Sequence, residues 1–404
     1  MKKIKIINDP IYGFVSIQSE LIFKLIEHPY FQRLRRIRQL GLSSLVYPGA
    51  NHTRFHHAIG AMHLMAKAIQ VLRSKRVEIS DHEELSAQIS ILLHDIGHGP
   101  FSHVMEHAFV ANVAHEEISV AFMHLLNNEF DGKLETAIQI FKNQYHKKFL
   151  YQLVSSQLDV DRLDYLTRDS FYTGVSEGIV GLERIIEMLN VADGQLVIDE
   201  KGIYSIEKFI VARRLMYWQV YLHKTVISAD CLLLNILRRA KKLLSDGVDI
   251  FTLPNLRFFI SQNISREILT DTDTLNRFAS IDDLDVMVCI KNWQNEADKV
   301  LSDLSKCLIN RKLPKTIIQN QEFSNDYIQA EINRIANQKQ LTKEEAEYHV
   351  FSGDLNNTAY KSNENEIMIR LKTGALVGLN EASDNYNFLP VNSLATKFFV
   401  CSPK

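Results

Sequence analysis

The chain has 404 residues, with 46 basic and 48 acidic side chains and a net charge of −2. That length predicts roughly two to three domains and a core large enough to stand without disulfides. Hydrophobic residues at 46% and charged residues at 23% exclude wholesale disorder. The charge balance argues against a general nucleic-acid binder, although a local basic patch remains compatible with it.

Only 16 glycines and 8 prolines occur. The chain is therefore poor in both helix breakers, which predicts a mainly α fold. From the start to about residue 290 the pattern reads as helix after helix. Tyr47-Pro48-Gly49 and Gly97-His98-Gly99-Pro100 are the clearest punctuation. Phe209 to Leu244 contains neither Gly nor Pro and reads as one long helix or two abutting ones. Beyond Ser302 the character changes. The segments 366-EIMIRL-371 and 396-TKFFVC-401 read as strands, and 352–366 as a polar loop. The expected organisation is a helical domain over 1–290, with its core at about 50–170, followed by a smaller α+β domain over 291–404 serving assembly or regulation.

Cys231, Cys289, Cys307 and Cys401 form no C-x-x-C pair, so reduced thiols in a cytoplasmic protein are expected. The opening MKKIKIINDP has no apolar stretch of the kind a signal peptide needs, and no apolar run is long enough to span a membrane.

Three helical segments place titratable groups where a helix should be apolar. In 54-RFHHAIGAMHLMAKAIQVL-72, His57 falls among apolar neighbours, whereas His56 and His63 lie on a polar stripe. Spacing favours His57 as a functional group, with a satisfied core histidine as the ordinary alternative. The segment 85-LSAQISILLHDIGHGPFSH-103 is apolar on nearly all faces and ends in His94-Asp95. A buried aspartate there needs a partner or a cation. His98 and His103 follow at a glycine-bracketed turn. In 153-LVSSQLDVDRLDYLTRD-169, Val154, Leu158, Asp161 and Tyr165 share one helical face, so Asp161 interrupts an apolar stripe. Asp159 and Asp164 are expected to point elsewhere, and Asp169 to continue the row.

Two imidazoles and two carboxylates make a mixed N/O donor set suited to Fe, Mn, Zn or, less naturally, Mg. A metal so held supplies a water nucleophile at neutral pH, and further histidines beside it would protonate a leaving group.

The pattern His57, His94-Asp95, Asp161 resembles the H…HD…D signature of the HD phosphohydrolase superfamily. The stretches 31-FQRLRRIRQLG-41, 47-YPGANHTRFHH-57, 93-LHDIGHGPFSH-103 and 159-DVDRLDYLTRD-169 are similar to its deoxynucleoside triphosphate triphosphohydrolase branch. The resemblance covers about residues 5 to 312. It implies that His57, His94, Asp95 and Asp161 bind a divalent metal, with additional Mg accompanying a triphosphate. It also implies that His98 and His103 sit against the scissile phosphate, with His103 the acid for the departing 5′ oxygen, and that His115 is a further catalytic histidine near the site. Glu106 stands where the branch carries an aspartate.

A triphosphate needs converging cations, and Arg54, one turn before His57, and Arg162, beside Asp161, are placed to supply them; the resemblance implies Arg213 on phosphate as well, with Tyr165 lining the site. Tyr221 would lie against the sugar, where its ring would exclude a ribose 2′ hydroxyl, and Gln39 and Asp169 would bind the 3′ hydroxyl. The ordinary reading of the row Arg213, Tyr217, Tyr221 and Lys224 is the polar edge of an amphipathic helix. Arg33, Arg35, Arg36 and Arg38 read as a solvated basic face. The alternative, which the resemblance implies, is a regulatory site for an activating nucleotide using Asp9, Gln32 and Arg35 at the interface of a homo-oligomer.

The leading expectation is metal-dependent hydrolysis of dNTPs to deoxynucleoside and tripolyphosphate. One rival is an HD phosphohydrolase acting on a nucleoside monophosphate or cyclic nucleotide. The other is a nucleotide- or nucleic-acid-binding regulator with an inactive site.

Overall fold

The computed structural model describes residues 4–101, 113–262, 264, 266, 268–357, 366–384 and 395–404. The chain opens on a hairpin of β1 (Lys5–Asp9) and β2 (Gly13–Ile17) and enters a helical body. Its principal helices are α1 (Glu20–Glu27), α2 (Arg54–Ser74), α3 (Asp81–Leu93), α4 (His115–Glu129), α5 (Val160–Thr173), α6 (Ile203–Met216), α7 (Lys224–Ser245), α8 (Lys299–Ile309) and α9 (Asn325–Lys339).

Local chemistry fixes where these helices begin. Ser80 and Glu83 form a reciprocal cap on α3, Ser80 Oγ accepting from Glu83 N and Glu83 Oε2 from Ser80 N. Thr53 N donates to His56 Nδ1 at the start of α2, so His56 is a capping residue. Asp159 Oδ1 accepts from Arg162 N and starts α5. The segment 153–169 is therefore not one helix. The preceding helix ends at Val154, and the carboxylate cap restarts the helix at Val160. This change of phase undoes the expected stripe through Val154 and Leu158.

Phe209 to Leu244 likewise divides. A π-turn over Tyr217–Tyr221 follows α6, and His223 Nδ1 caps α7 by accepting from Thr225 N. The two helices meet at a 55° bend. No single helix among the described residues is long and apolar enough to cross a membrane, and the α7 residues Leu232, Leu233 and Ile236 are buried in the core.

The fold is mainly α with a smaller α+β part, as expected. Strands β3 (Leu189–Ala192), β4 (Gln195–Asp199), β7 (Met368–Arg370) and β8 (Leu376–Gly378) form one sheet, with β4 and β7 parallel. Strands β5 (Lys315–Gln319), β9 (Ala395–Ser402) and β6 (Phe351–Asn357) form an antiparallel one. The stretch 352–357 is thus a strand where the sequence reads as loop. The reason is non-local: β9 supplies the pairing, and Gly353 leaves room for the Phe399 ring, which an added Cβ would meet at 3.0 Å. The main core runs continuously through residue 290, joining Leu304, Ile369 and Phe399 to the helical body. A smaller cluster built on Ile332, Ile335 and Val350 lies under α9.

Arg33 corrects the expected basic face. It is buried, with its guanidinium between the rings of Phe122 and Phe278, and its Nη2 donates to the carbonyls of Ile96 and His98. Phe31, Leu34 and Ile37 turn inward as expected, but the segment is a short helix followed by a 3-10 turn, which also carries Arg33 inside.

Candidate metal centre

α2 packs between α3 and α5, and these three elements deliver the donors. His57 lies one turn into α2 and is fully buried. Its Nδ1 donates to Asp164 Oδ2 at 2.8 Å, which leaves the Nε2 lone pair facing inward. His94 follows α3, and its Nδ1 donates to Ile91 O at 2.6 Å, again freeing Nε2. Asp161 comes from the first turn of α5.

His57 Nε2, His94 Nε2 and Asp161 Oδ1 lie 3.0, 3.3 and 3.4 Å from one another. Bonds of about 2.0–2.2 Å to one shared ion would hold such donors roughly 3.0–3.5 Å apart, so the set fits a divalent metal. Asp95 is the fourth candidate. Its Oδ1 is 3.2 Å from His94 Nε2, and its Oδ2 accepts from Arg54 Nη1.

The electrostatics agree. Burial opposes charge on His57, but the hydrogen-bonded carboxylates of Asp161 and Asp164 outweigh it and push the imidazole up to about 10. Burial likewise opposes charge on Asp161 and Asp95. Yet His57 and His94 hold Asp161 far below the usual carboxylate range, and His94 and Arg54 do the same for Asp95. The donors demand positive charge at their centre, which a divalent ion provides without protonating the imidazoles.

Asp95 also joins a second group, with His98 and His115, whose donor atoms lie within 4.8 Å of one another. The rings of His98 and His115 are stacked. Burial, then Arg54, holds His98 well below its ordinary range, so it is neutral at neutral pH. Gly97 makes this crossing feasible, since an added Cβ would stand 2.2 Å from His115 O and 2.4 Å from Ser119 N. Ser119 Oγ completes it, donating to His94 O and accepting from Gly97 N. His103 and Glu106 lie outside the described residues.

A polar and aromatic wall leads away from Asp161. Arg162 donates to Asp159. Arg213 Nη1 is 3.4 Å from Gln157 Oε1, and its guanidinium lies beside the Tyr217 ring. Tyr217 contacts Tyr221 edge-on, and Tyr165 contacts Tyr221 in the same way. Tyr221 then donates to Asp169 Oδ2 at 2.7 Å, while the other Asp169 oxygen pairs with His52 Nε2 at 2.8 Å. Gln39 N donates to His52 O, which sets Gln39 beside this pair. Among the described residues, the side-chain oxygen of Gln39 and the Nε atoms of Arg162 and Arg213 are buried with no hydrogen-bond partner. Lys224, expected on the row with Tyr221, begins the next helix and is exposed.

Of the expected regulatory residues, two come together. Arg35 Nε donates to Gln32 Oε1, and its guanidinium covers the Phe55 ring. Asp9 is buried instead, and its carboxylate takes Arg168 and the N–H groups of Ile11 and Tyr12.

Four residues of the site escape sequence reasoning. Asp164 faces His57 rather than pointing away, because it stands three residues beyond Asp161 on the same face of α5. Arg168 and Gly60 back it. His52 sits inside the 47–57 motif, which is the one signal for it.

These elements and donors define a divalent-metal phosphohydrolase of the HD type. The chain belongs to that family: it matches the HD domain over residues 54–169 and the HD associated region over residues 180–253. It is similar to the YwfO protein of Bacillus subtilis, at 36% identity over 316 residues, covering 76% of this chain and 71% of that one. It is also similar to the deoxynucleoside triphosphate triphosphohydrolase SAMHD1 homolog of Dictyostelium discoideum, at 30% identity over 338 residues, covering 76% of this chain and 65% of that protein. A phosphohydrolase from Bacteroides thetaiotaomicron, known as a crystal structure, superposes with a TM-score of 0.96 at 49% identity over 100% of both chains.

Proposed function

We propose that the chain hydrolyses deoxynucleoside triphosphates to deoxynucleoside and tripolyphosphate. The observation that carries this reading is the wall from Asp161 to Asp169. Cations at Arg54, Arg162 and Arg213 suit the polyphosphate end. The Tyr221–Asp169–His52 chain suits a sugar hydroxyl. The similarity to the Dictyostelium protein, itself named for this activity, supports the same substrate class.

His57, His94, Asp95 and Asp161 would hold a divalent ion, which would supply Lewis acidity and an activated water. The N/O donor set favours Fe, Mn or Zn over Mg. Arg54 neutralises Asp95 and orients it. Arg162 and Arg213 offer buried N–H donors to phosphate oxygens, where a charge-assisted bond is strong. His103 hands a proton to the departing 5′ oxygen, while His98, held neutral by burial and Arg54, and His115 stand against the scissile phosphate. Tyr221 closes the space a 2′ hydroxyl would need, and Asp169 with Gln39 receives the 3′ hydroxyl. A cytoplasmic homo-oligomer, with an activating nucleotide near Gln32 and Arg35, belongs to the same proposal.

The test is product analysis. Purified protein is incubated with each dNTP and Mn, Fe, Zn or Mg, with and without GTP. Deoxynucleoside plus tripolyphosphate is expected. Nucleoside monophosphate plus pyrophosphate, or no turnover with any dNTP, would refute the reading.

A further inference from the structure

Behind His57 runs a buried chain of charged groups that ends in the N-terminal hairpin. Asp164 Oδ2 accepts from His57 Nδ1 at 2.8 Å. Arg168 grips the same carboxylate with two parallel bonds, Nε to Oδ2 and Nη2 to Oδ1, each 2.9 Å. Its third arm, Nη1, donates to Asp9 Oδ2 at 2.9 Å. Asp9 Oδ1 accepts from Ile11 N and Tyr12 N at the hairpin turn, and the Tyr12 ring lies against the guanidinium. His57, Asp164 and Arg168 are wholly buried, and Asp9 is 3% exposed.

The packing is built around this chain. Gly60 lies on α2 one turn beyond His57, and an added Cβ would stand 2.1 Å from both Arg168 Nη2 and Asp164 Oδ1. The helix gives up a side chain so that the two charged groups can reach the imidazole.

The charge count shows what the chain is for. Two buried carboxylates share one guanidinium, so one negative charge is left over. Buried ion pairs are poor stabilisers, and an excess charge among them is costly unless something positive receives it. Among the hydrogen-bond partners of this chain, the group that can pass that charge on is His57, whose other nitrogen faces the metal donors.

We propose that Asp9 is a positioning residue of the metal centre. Through Arg168 and Asp164 it fixes the tautomer, orientation and donor strength of His57, which makes the hairpin part of the site. The inference rests on the metal reading of His57, but not on the identity of the substrate. Linkage then requires the converse: metal bound at His57 must tighten the hairpin.

The experiment is Mn2+ binding, followed by the electron paramagnetic resonance of free Mn2+, alongside the melting of metal-free protein. Loss of a carboxylate hydrogen-bonded to a metal-bound histidine commonly weakens affinity about 10–100-fold. D164N should fall in that range, because it removes the acceptor itself. D9N should weaken affinity less, by roughly 3–10-fold, through the intervening guanidinium. Unchanged affinity in folded D9N, even with a lowered melting temperature, would reduce Asp9 to a structural tie and overturn the proposal.

Wild-type protein provides a second readout should either variant fail to fold. Saturating Mn2+ should slow hydrogen exchange at the Ile11 and Tyr12 amides more than at the β5–β9 ladder. Equal effects at both places would also overturn the proposal. Protein that takes up no Mn2+ would sink it together with the metal reading. Absence of dNTP turnover would touch only the substrate assignment.

Discussion

The rings of His98 and His115 lie face to face, with centroids 3.7 Å apart and 18° between planes. One ring comes from the turn after the HD dyad and the other from the first residue of α4, and they meet because Gly97 lets the backbones cross. His115 therefore stands beside the metal donors without belonging to the His57–His94–Asp161 triad. H115A should keep its metal, measured by elemental analysis, and lose about 10²–10⁴-fold in kcat if this ring takes part in proton transfer. Loss of metal along with activity would instead move His115 into the ligand set.

Asp161 makes the opposite case. Its Oδ1 is the carboxylate oxygen shared between His57 and His94. D161A should lose both metal and turnover. Full activity in that variant would remove Asp161 from the centre.

The sugar end can be tested without touching the metal. Tyr221 reaches Asp169 through its hydroxyl, and its ring stands against Tyr165 and Tyr217. A hydrophobic wall rejects an added hydroxyl by about 10²-fold at most. Y221A should therefore bring the ratio of dNTP to NTP kcat/KM down towards parity. Y221F, which keeps the ring, should preserve most of the preference. An unchanged ratio in Y221A would show that another group excludes the ribonucleotide.

Stability in acid should depend on Glu83, remote from the site. Burial pushes this carboxyl up, but Lys147, the Ser80 N–H and the Tyr145 hydroxyl outweigh burial and lower it to about 2 from 4.5. A depressed folded value means stability that is present above about pH 4.5 and lost as pH falls towards 2. E83Q should thus be less stable than wild type at pH 7, by up to about 3 kcal/mol. The gap should close between pH 4.5 and 2. Urea denaturation at several pH values measures it, and a pH-independent gap would count against the assignment.

Much of the centre was legible in the sequence because its donors break local rules. His57 interrupts an apolar face, and His94-Asp95 ends a helix that is apolar all round. Asp161 is legible from the motif rather than from helical periodicity. The stripe through Val154, Leu158 and Asp161 crosses a helix break at 155–159, so the three do not share one helical face. The break does not account for Asp164, which lies beyond it on the same helix as Asp161. At i+3 it shares the face of Asp161 in any continuous helix, but its partner is a histidine on another helix, which no local pattern shows. Arg33 was misread because burying a guanidinium takes two aromatic rings and two carbonyls from distant segments, none of which a local pattern shows.

By itself, then, the sequence determined the mainly helical class, the H…HD…D pattern and strands within 366–371 and 396–401, because periodicity and out-of-place polar residues are local properties. The tertiary structure alone decided which groups stand behind those donors. The Asp9–Arg168–Asp164–His57 chain joins residues from the first strand, α2 and α5, and the His98–His115 stack joins two segments across a glycine. It also decided that 352–357 is a strand, because β9 supplies its partner. In each case the controlling energy is a hydrogen bond or a contact between segments far apart in sequence, which has no signature until the chain is folded.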